Sequence, residues 1–98
     1  LTLALQKPRR QVDTDYLNFV RGRPCLVAHC LRRGEPHHVV SRGAGGGDYT
    51  AAPLCREHHR QLHTTGLRRF EENFGLELWR EVANLLGLYL EDQRRENT

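Results

Sequence analysis

EPHHVVSRGAGGGDYTAAPLCREHHRQLH, residues 35–63, decides the reading of this chain. It holds the adjacent His37 and His38, a glycine-rich turn over 41–47, and then Cys55, His58, His59 and His63. Cys25 and Cys30 lie just upstream, so all six histidines and all three cysteines fall within residues 25–63. Thiolate and imidazole at this density point to metal.

Spacing sorts the donors. Helical residues three or four apart share a face. Cys55 and His58 therefore point together, and His59 and His63 form a second pair. The neighbours His58 and His59 diverge by about 100° and suit two different ions. Cys25, Cys30, Cys55 and His58 make a closed Cys3His set, which fits structural Zn2+. His29 is a second imidazole near that set and can replace Cys30. His59 and His63 need a third ligand, and His37 can supply it. Three imidazoles with an open position suit a catalytic divalent ion: Mg2+, Mn2+, Co2+, Ni2+ or Zn2+. In an extended segment His38 faces away from His37. It can sit near the ion without binding it, where a general base belongs.

Working outward, 98 residues fit one small domain in which metal cross-links make up for a thin core. We expect a basic arm over 1–12 and one domain over 13–98, with a metal core at about 24–64 and a helical extension at 66–93. The chain carries +3 overall, but residues 1–34 hold +5 and residues 71–98 hold −4. A basic front beside the histidines suits a polyanionic partner. No secretory segment or membrane-length apolar run appears, and cysteines beside histidines suit a reducing cytosol. A cytoplasmic protein with no membrane partner is expected.

The elements read as α+β. Lys7, Arg9 and Arg10 lie in a solvated arm. Asp13 or Thr14 caps a short helix that Gly22 stops. Val39 and Val40 read as a strand, 41–47 as a flexible turn, and 48–53 as the return strand. Helices follow from Leu54, over 67–74, and over 76–93. The last has an apolar stripe of Leu78, Trp79, Val82, Leu85, Leu86 and Tyr89. Trp79 and Tyr89 read as core or dimer contacts, so this helix can mediate a homodimer.

Three other chemistries fail on the residues. The glycine turn lacks the Lys-Ser/Thr ending of a phosphate-binding P-loop. The gap from Cys30 to His59 is too long for a classical zinc finger. Arg60 stands where an HExxH protease needs its glutamate.

EPHHVV, the glycine turn, and PLCREHHRQLH followed by GLRRFEENFG resemble the HNH endonucleases of the ββα-metal, His-Me finger class. The zinc-knuckle subgroup is the match, together with small phage and prophage HNH nucleases. The resemblance covers roughly Tyr16 to Gly75. It implies a small ββα-metal core with a structural zinc knuckle, flanked by an N-terminal helix and two C-terminal helices. It implies His37, His59 and His63 on one divalent ion, His38 as general base, and hydrolysis of a DNA phosphodiester to 5′-phosphate and 3′-hydroxyl ends. A bacterial or phage-encoded enzyme follows from it. The family's middle asparagine is missing. Its position falls on Thr50, which can brace the loop, with Asp48 nearby, which can orient His38. Arg42, Arg56 and Arg60, then Arg32 and Arg33, stand closest to the metal residues for contacts to the DNA backbone with weak sequence preference. The rival reading is a non-catalytic, zinc-stabilised nucleic-acid-binding module.

Overall fold

Asp13 sets the first element. Its carboxylate accepts the Tyr16 N–H at 2.9 Å and caps helix α1, Thr14–Arg21, which stops at Gly22. The computed structural model describes residues 9–97, and its order is α1, β1 (Glu35–His38), β2 (Ala51–Leu54), α2 (Arg56–Thr65), α3 (Leu67–Phe74) and α4 (Leu78–Glu96). Among the described residues, four α-helices and a two-stranded antiparallel sheet make a small α+β fold. Among the described residues no helix is long and apolar enough to cross a membrane.

The sheet register pairs Glu35 with Leu54, Pro36 with Pro53, His37 with Ala52 and His38 with Ala51. Prolines donate no ladder hydrogen bond and are tolerated here because each strand has an outer edge. β2 is buried along its whole length and divides the apolar interior in two. On one side Leu54 joins Val27, Leu62, Phe70 and Leu78. On the other Ala51 joins Tyr16, Leu17, Val20 and Tyr89, tying α1 to α4. The Tyr16 hydroxyl donates to the Ala51 carbonyl at 2.9 Å inside that second cluster.

Several expectations shift. The first strand is Glu35–His38, so the histidines themselves lie on it, while Val39 and Val40 follow it as a bend. The Val39 N–H still reaches across, to the Thr50 carbonyl at 3.0 Å. The return strand begins at Ala51, because Asp48–Thr50 form a 3-10 turn that the Thr50 hydroxyl closes on the Gly47 carbonyl at 2.9 Å. The glycine-rich stretch is built rather than loose. Ser41 caps a 3-10 turn at Arg42–Ala44, and a Cβ at Gly46 would collide with the Val40 carbonyl. Helix α2 starts one residue after Cys55, which is its N-cap. Gly75, in the left-handed region at φ 62°, ends α3. In α4, Leu78, Val82, Leu85 and Tyr89 are buried, but Trp79 is 52 % exposed and is no core residue. Of the expected 1–12 arm, residues 1–8 with Lys7 lie outside the described residues. Arg10 is no free end, because its guanidinium meets Asp48 Oδ1 at 3.2 Å.

Candidate metal centre

Among the described residues two donor clusters form, with the membership the spacing predicts. The turn after α1 places Cys25 and Cys30, and the start of α2 places Cys55 and His58. Their four ligand atoms all lie within 4.8 Å of one another. Cys30 Sγ and Cys55 Sγ are 3.9 Å apart. Cys25 Sγ and Cys55 Sγ stand 3.5 and 3.2 Å from His58 Nδ1. A tetrahedral zinc with sulfur at about 2.3 Å and nitrogen at about 2.0 Å requires edges of roughly 3.8 Å between sulfurs and roughly 3.5 Å from sulfur to nitrogen. The cluster fits a metal ion such as zinc. His29, exposed and left-handed at φ 66°, is not among the converging donors.

The thiols differ. Burial pushes Cys25 up to about 11. Burial pulls Cys55 the same way, but the His58 N–H and the Cys30 and Cys25 thiols outweigh it and hold Cys55 below the ordinary thiol range. Metal must displace each proton, so binding is coupled to proton release.

The second cluster is His37, His59 and His63, again with ligand atoms within 4.8 Å of one another. His37 Nδ1 and His59 Nε2 are 2.9 Å apart, and the His59 and His63 rings lie 4.8 Å apart, centroid to centroid, one turn along α2. Burial, and then the neighbouring His59, His63 and His38, push His37 down to about 4. Burial and His63 also lower His59. Both shifts favour the uncharged ring at His37 and His59, the form that can ligate a cation. A cleft of about 260 Å³ opens beside His37 and His63, lined also by His38, Ser41, Leu62 and Leu67.

His38 is not in either donor set. Its Nε2 lies 2.9 Å from Asp48 Oδ1. Asp48 is buried and fully used: Oδ1 also accepts from Arg10, and Oδ2 accepts the Asp13 N–H at 2.9 Å. Burial alone would raise this carboxyl, but His38, the Asp13 N–H and Arg10 hold it below the usual carboxylate range. Asp48 is thus the group against His38, whereas Thr50 closes its own turn. Sequence reasoning missed Arg10 and Asp13 here, which reach Asp48 from 38 and 35 residues away. A pattern of neighbours along the chain carries no signal for such contacts.

The arginines are spread. Arg42 sits on the exposed 3-10 turn, and Arg56 and Arg60 are exposed on α2. Arg32 pairs with Glu57 at 2.6 Å, and Arg33 Nε donates to the Arg21 carbonyl at 3.3 Å.

The chain is 38% identical over 81 residues to the uncharacterized protein YdfU of Escherichia coli (strain K12), an alignment covering 78% of this chain and 23% of that relative. The chain therefore spans about a quarter of the relative's length. No solved structure matches it. Residues 2–87 match the profile of a family described as a protein of unknown function, DUF968, and the chain belongs to that family.

Proposed function

We propose that this domain is a metal-dependent DNA endonuclease of HNH type, its hairpin and α2 forming a ββα-metal core stapled by a zinc knuckle. The observation that carries the reading is one juxtaposition. Three imidazoles converge beside a fourth, His38, which belongs to neither cluster and is oriented by Asp48. A purely structural zinc module accounts for Cys25, Cys30, Cys55 and His58, but gives no task to the second set.

A carboxylate can only accept, so His38 donates from Nε2 to Asp48, and in the neutral ring Nδ1 is the nitrogen with the lone pair. Nδ1 then takes a proton from a water as that water's oxygen bonds to phosphorus. The bond to the 3′ oxygen breaks, and that oxygen is protonated from solvent, giving 5′-phosphate and 3′-hydroxyl ends. His37, His59 and His63 would hold a divalent ion, which supplies positive charge against the phosphate oxygens when bound. Exposed Arg42, Arg56 and Arg60 supply cations for the DNA backbone. The test is supercoiled plasmid with each of Mg2+, Mn2+, Co2+, Ni2+ and Zn2+. Nicking by the parent and none by His38→Ala is the expected result. Equal cutting by both overturns the assignment of the base, and no cutting by the parent with any ion overturns the enzyme.

A further inference from the structure

A groove of about 420 Å³ opens beside the cysteine cluster, away from the histidine cleft, and shares no lining residue with it. Arg21 from the end of α1, Arg32 and Arg33 from the turn before β1, and Arg56 from the first turn of α2 all line it. Its acids are Glu35 and Glu57, and Glu57 is taken up by Arg32. Arg21, Arg33 and Arg56 then face Glu35 alone, so the groove is cationic.

Three of these guanidiniums are already held. Arg21 Nη1 donates to Asn18 at 2.8 Å, Arg32 Nη1 to Glu57 at 2.6 Å, and Arg33 Nε to the Arg21 carbonyl at 3.3 Å. A guanidinium has five N–H donors. Each side chain is therefore anchored by one donor and keeps the others for a ligand. Anchoring removes part of the ordering cost of binding, and a fork of fixed N–H groups matches phosphate oxygens.

The groove also has a direction. Arg56, Arg60 and His63 lie at i, i+4 and i+7 on α2 and share one exposed stripe. At about 1.5 Å per residue, Arg56 stands roughly 10 Å from His63 along the axis. One strand of a duplex carries a phosphate about every 3.4 Å of axis. We propose that the groove grips the phosphodiester backbone of the substrate strand about three nucleotides from the bond lying at His37, His59 and His63. The distance to a scissile bond rests on the nuclease reading; the grip on the strand does not, because binding is measured without cleavage.

The test is fluorescence anisotropy of a labelled short DNA strand, and of an RNA strand of the same sequence, with protein carrying His38→Ala so that nothing is cut. Arg21→Gln, Arg33→Gln and Arg56→Gln are compared with Arg94→Gln on α4, which does not line the groove, and circular dichroism verifies the fold of each. Each groove variant is expected to weaken binding about 3- to 10-fold and to reduce the salt slope by about 1, with Arg94→Gln unchanged. Arg33→Lys, which keeps the charge but not the anchored fork, restores only part of the loss. Equal losses for DNA and RNA identify the shared phosphate backbone as the ligand. Losses no greater than that of Arg94→Gln overturn the proposal. So does displacement of the strand by inorganic phosphate at an ionic strength where sodium chloride leaves it bound, which makes the groove a small-anion site. If plasmid nicking fails while these slopes hold, the hydrolytic reading falls and the strand grip stands.

Discussion

Asp48 Oδ1 lies 2.9 Å from His38 Nε2, and the same oxygen takes the Arg10 guanidinium at 3.2 Å. A buried carboxylate with three donors is a rigid bracket for a ring that is itself only 10 % exposed.

Replacing Asp48 by Asn keeps the size but removes the charge and lets an amide face the ring. Partners that orient a functional imidazole are worth about 10–100-fold when removed. Asp48→Asn is expected to lower the nicking rate by that factor with little change in DNA affinity. Ring-nitrogen NMR of His38 should show the tautomer scrambled. An unchanged NMR signature would mean that Asp48 serves the loop and not the base.

Cys55 serves twice, as a donor of the first cluster and as the N-cap of α2, where its sulfur accepts the His58 N–H at 3.5 Å. Apparent zinc affinities in small structural sites reach about 10–16 kcal/mol, comparable to the whole stability of a small domain, about 5–15 kcal/mol. Cys55→Ala is expected to lose zinc by mass spectrometry and to unfold by circular dichroism. A folded, metal-free variant would remove zinc from the folding account.

His59 and His63 are half-buried and exposed, so the fold does not depend on them as it does on the cysteines. His59→Ala and His63→Ala should melt within a few degrees of the parent and keep one zinc per chain. Nicking should drop to background. Loss of zinc at the cysteines in either variant would show that the two clusters are not separate.

Asp13 predicts the pH behaviour. Its carboxylate accepts the Tyr49 hydroxyl at 2.6 Å and the Tyr89 hydroxyl at 3.4 Å. The Tyr49 bond leads in holding Asp13 below its ordinary 3.8, while Tyr49, pressed against that charge, is pushed up to about 12 from 10.0. The carboxylate's pKa is lower in the folded chain, so its contribution is present above about pH 4 and is lost as acid protonates it. The tyrosine's pKa is higher in the folded chain, so its contribution is present below about pH 10 and is lost as pH climbs toward 12. Tyr49→Phe should cost about 1 kcal/mol, the low side for a hydrogen bond to a charged acceptor because the pair is partly solvated. In urea melts that difference should stay flat from about pH 4 to 10 and shrink at both ends. A difference independent of pH would mean that the hydroxyl matters only for packing.

Much of this molecule is legible along the chain because its signals are local. Asp13 and Gly22 bracket α1, Gly66 and Gly75 bracket α3, and the spacing of Cys55, His58, His59 and His63 sorts the donors before any coordinates. The misreadings come from choices settled by distant groups. Val39 and Val40 look more like a strand than Glu35–His38, yet pairing with the buried Ala51–Leu54 selects the histidine segment. Trp79 fits the apolar period of α4 but falls beside the face that packs on β2 and α1. The Arg10–Asp48 pair closes a gap of 38 residues, which no periodicity reports.

The adjacency of His58 and His59 also limits how this segment can change in length. Each faces a different cluster from one helix turn. Adding or deleting one residue between Cys55 and His58 would swing everything downstream by about 100°. The imidazole meant for the thiols would be turned away, and its neighbour would lose His37. Point substitutions on the solvent side of α2 leave that phase untouched. Across related chains, length variation should therefore collect in the glycine turn and beyond Gly66, and be purged from 55–63.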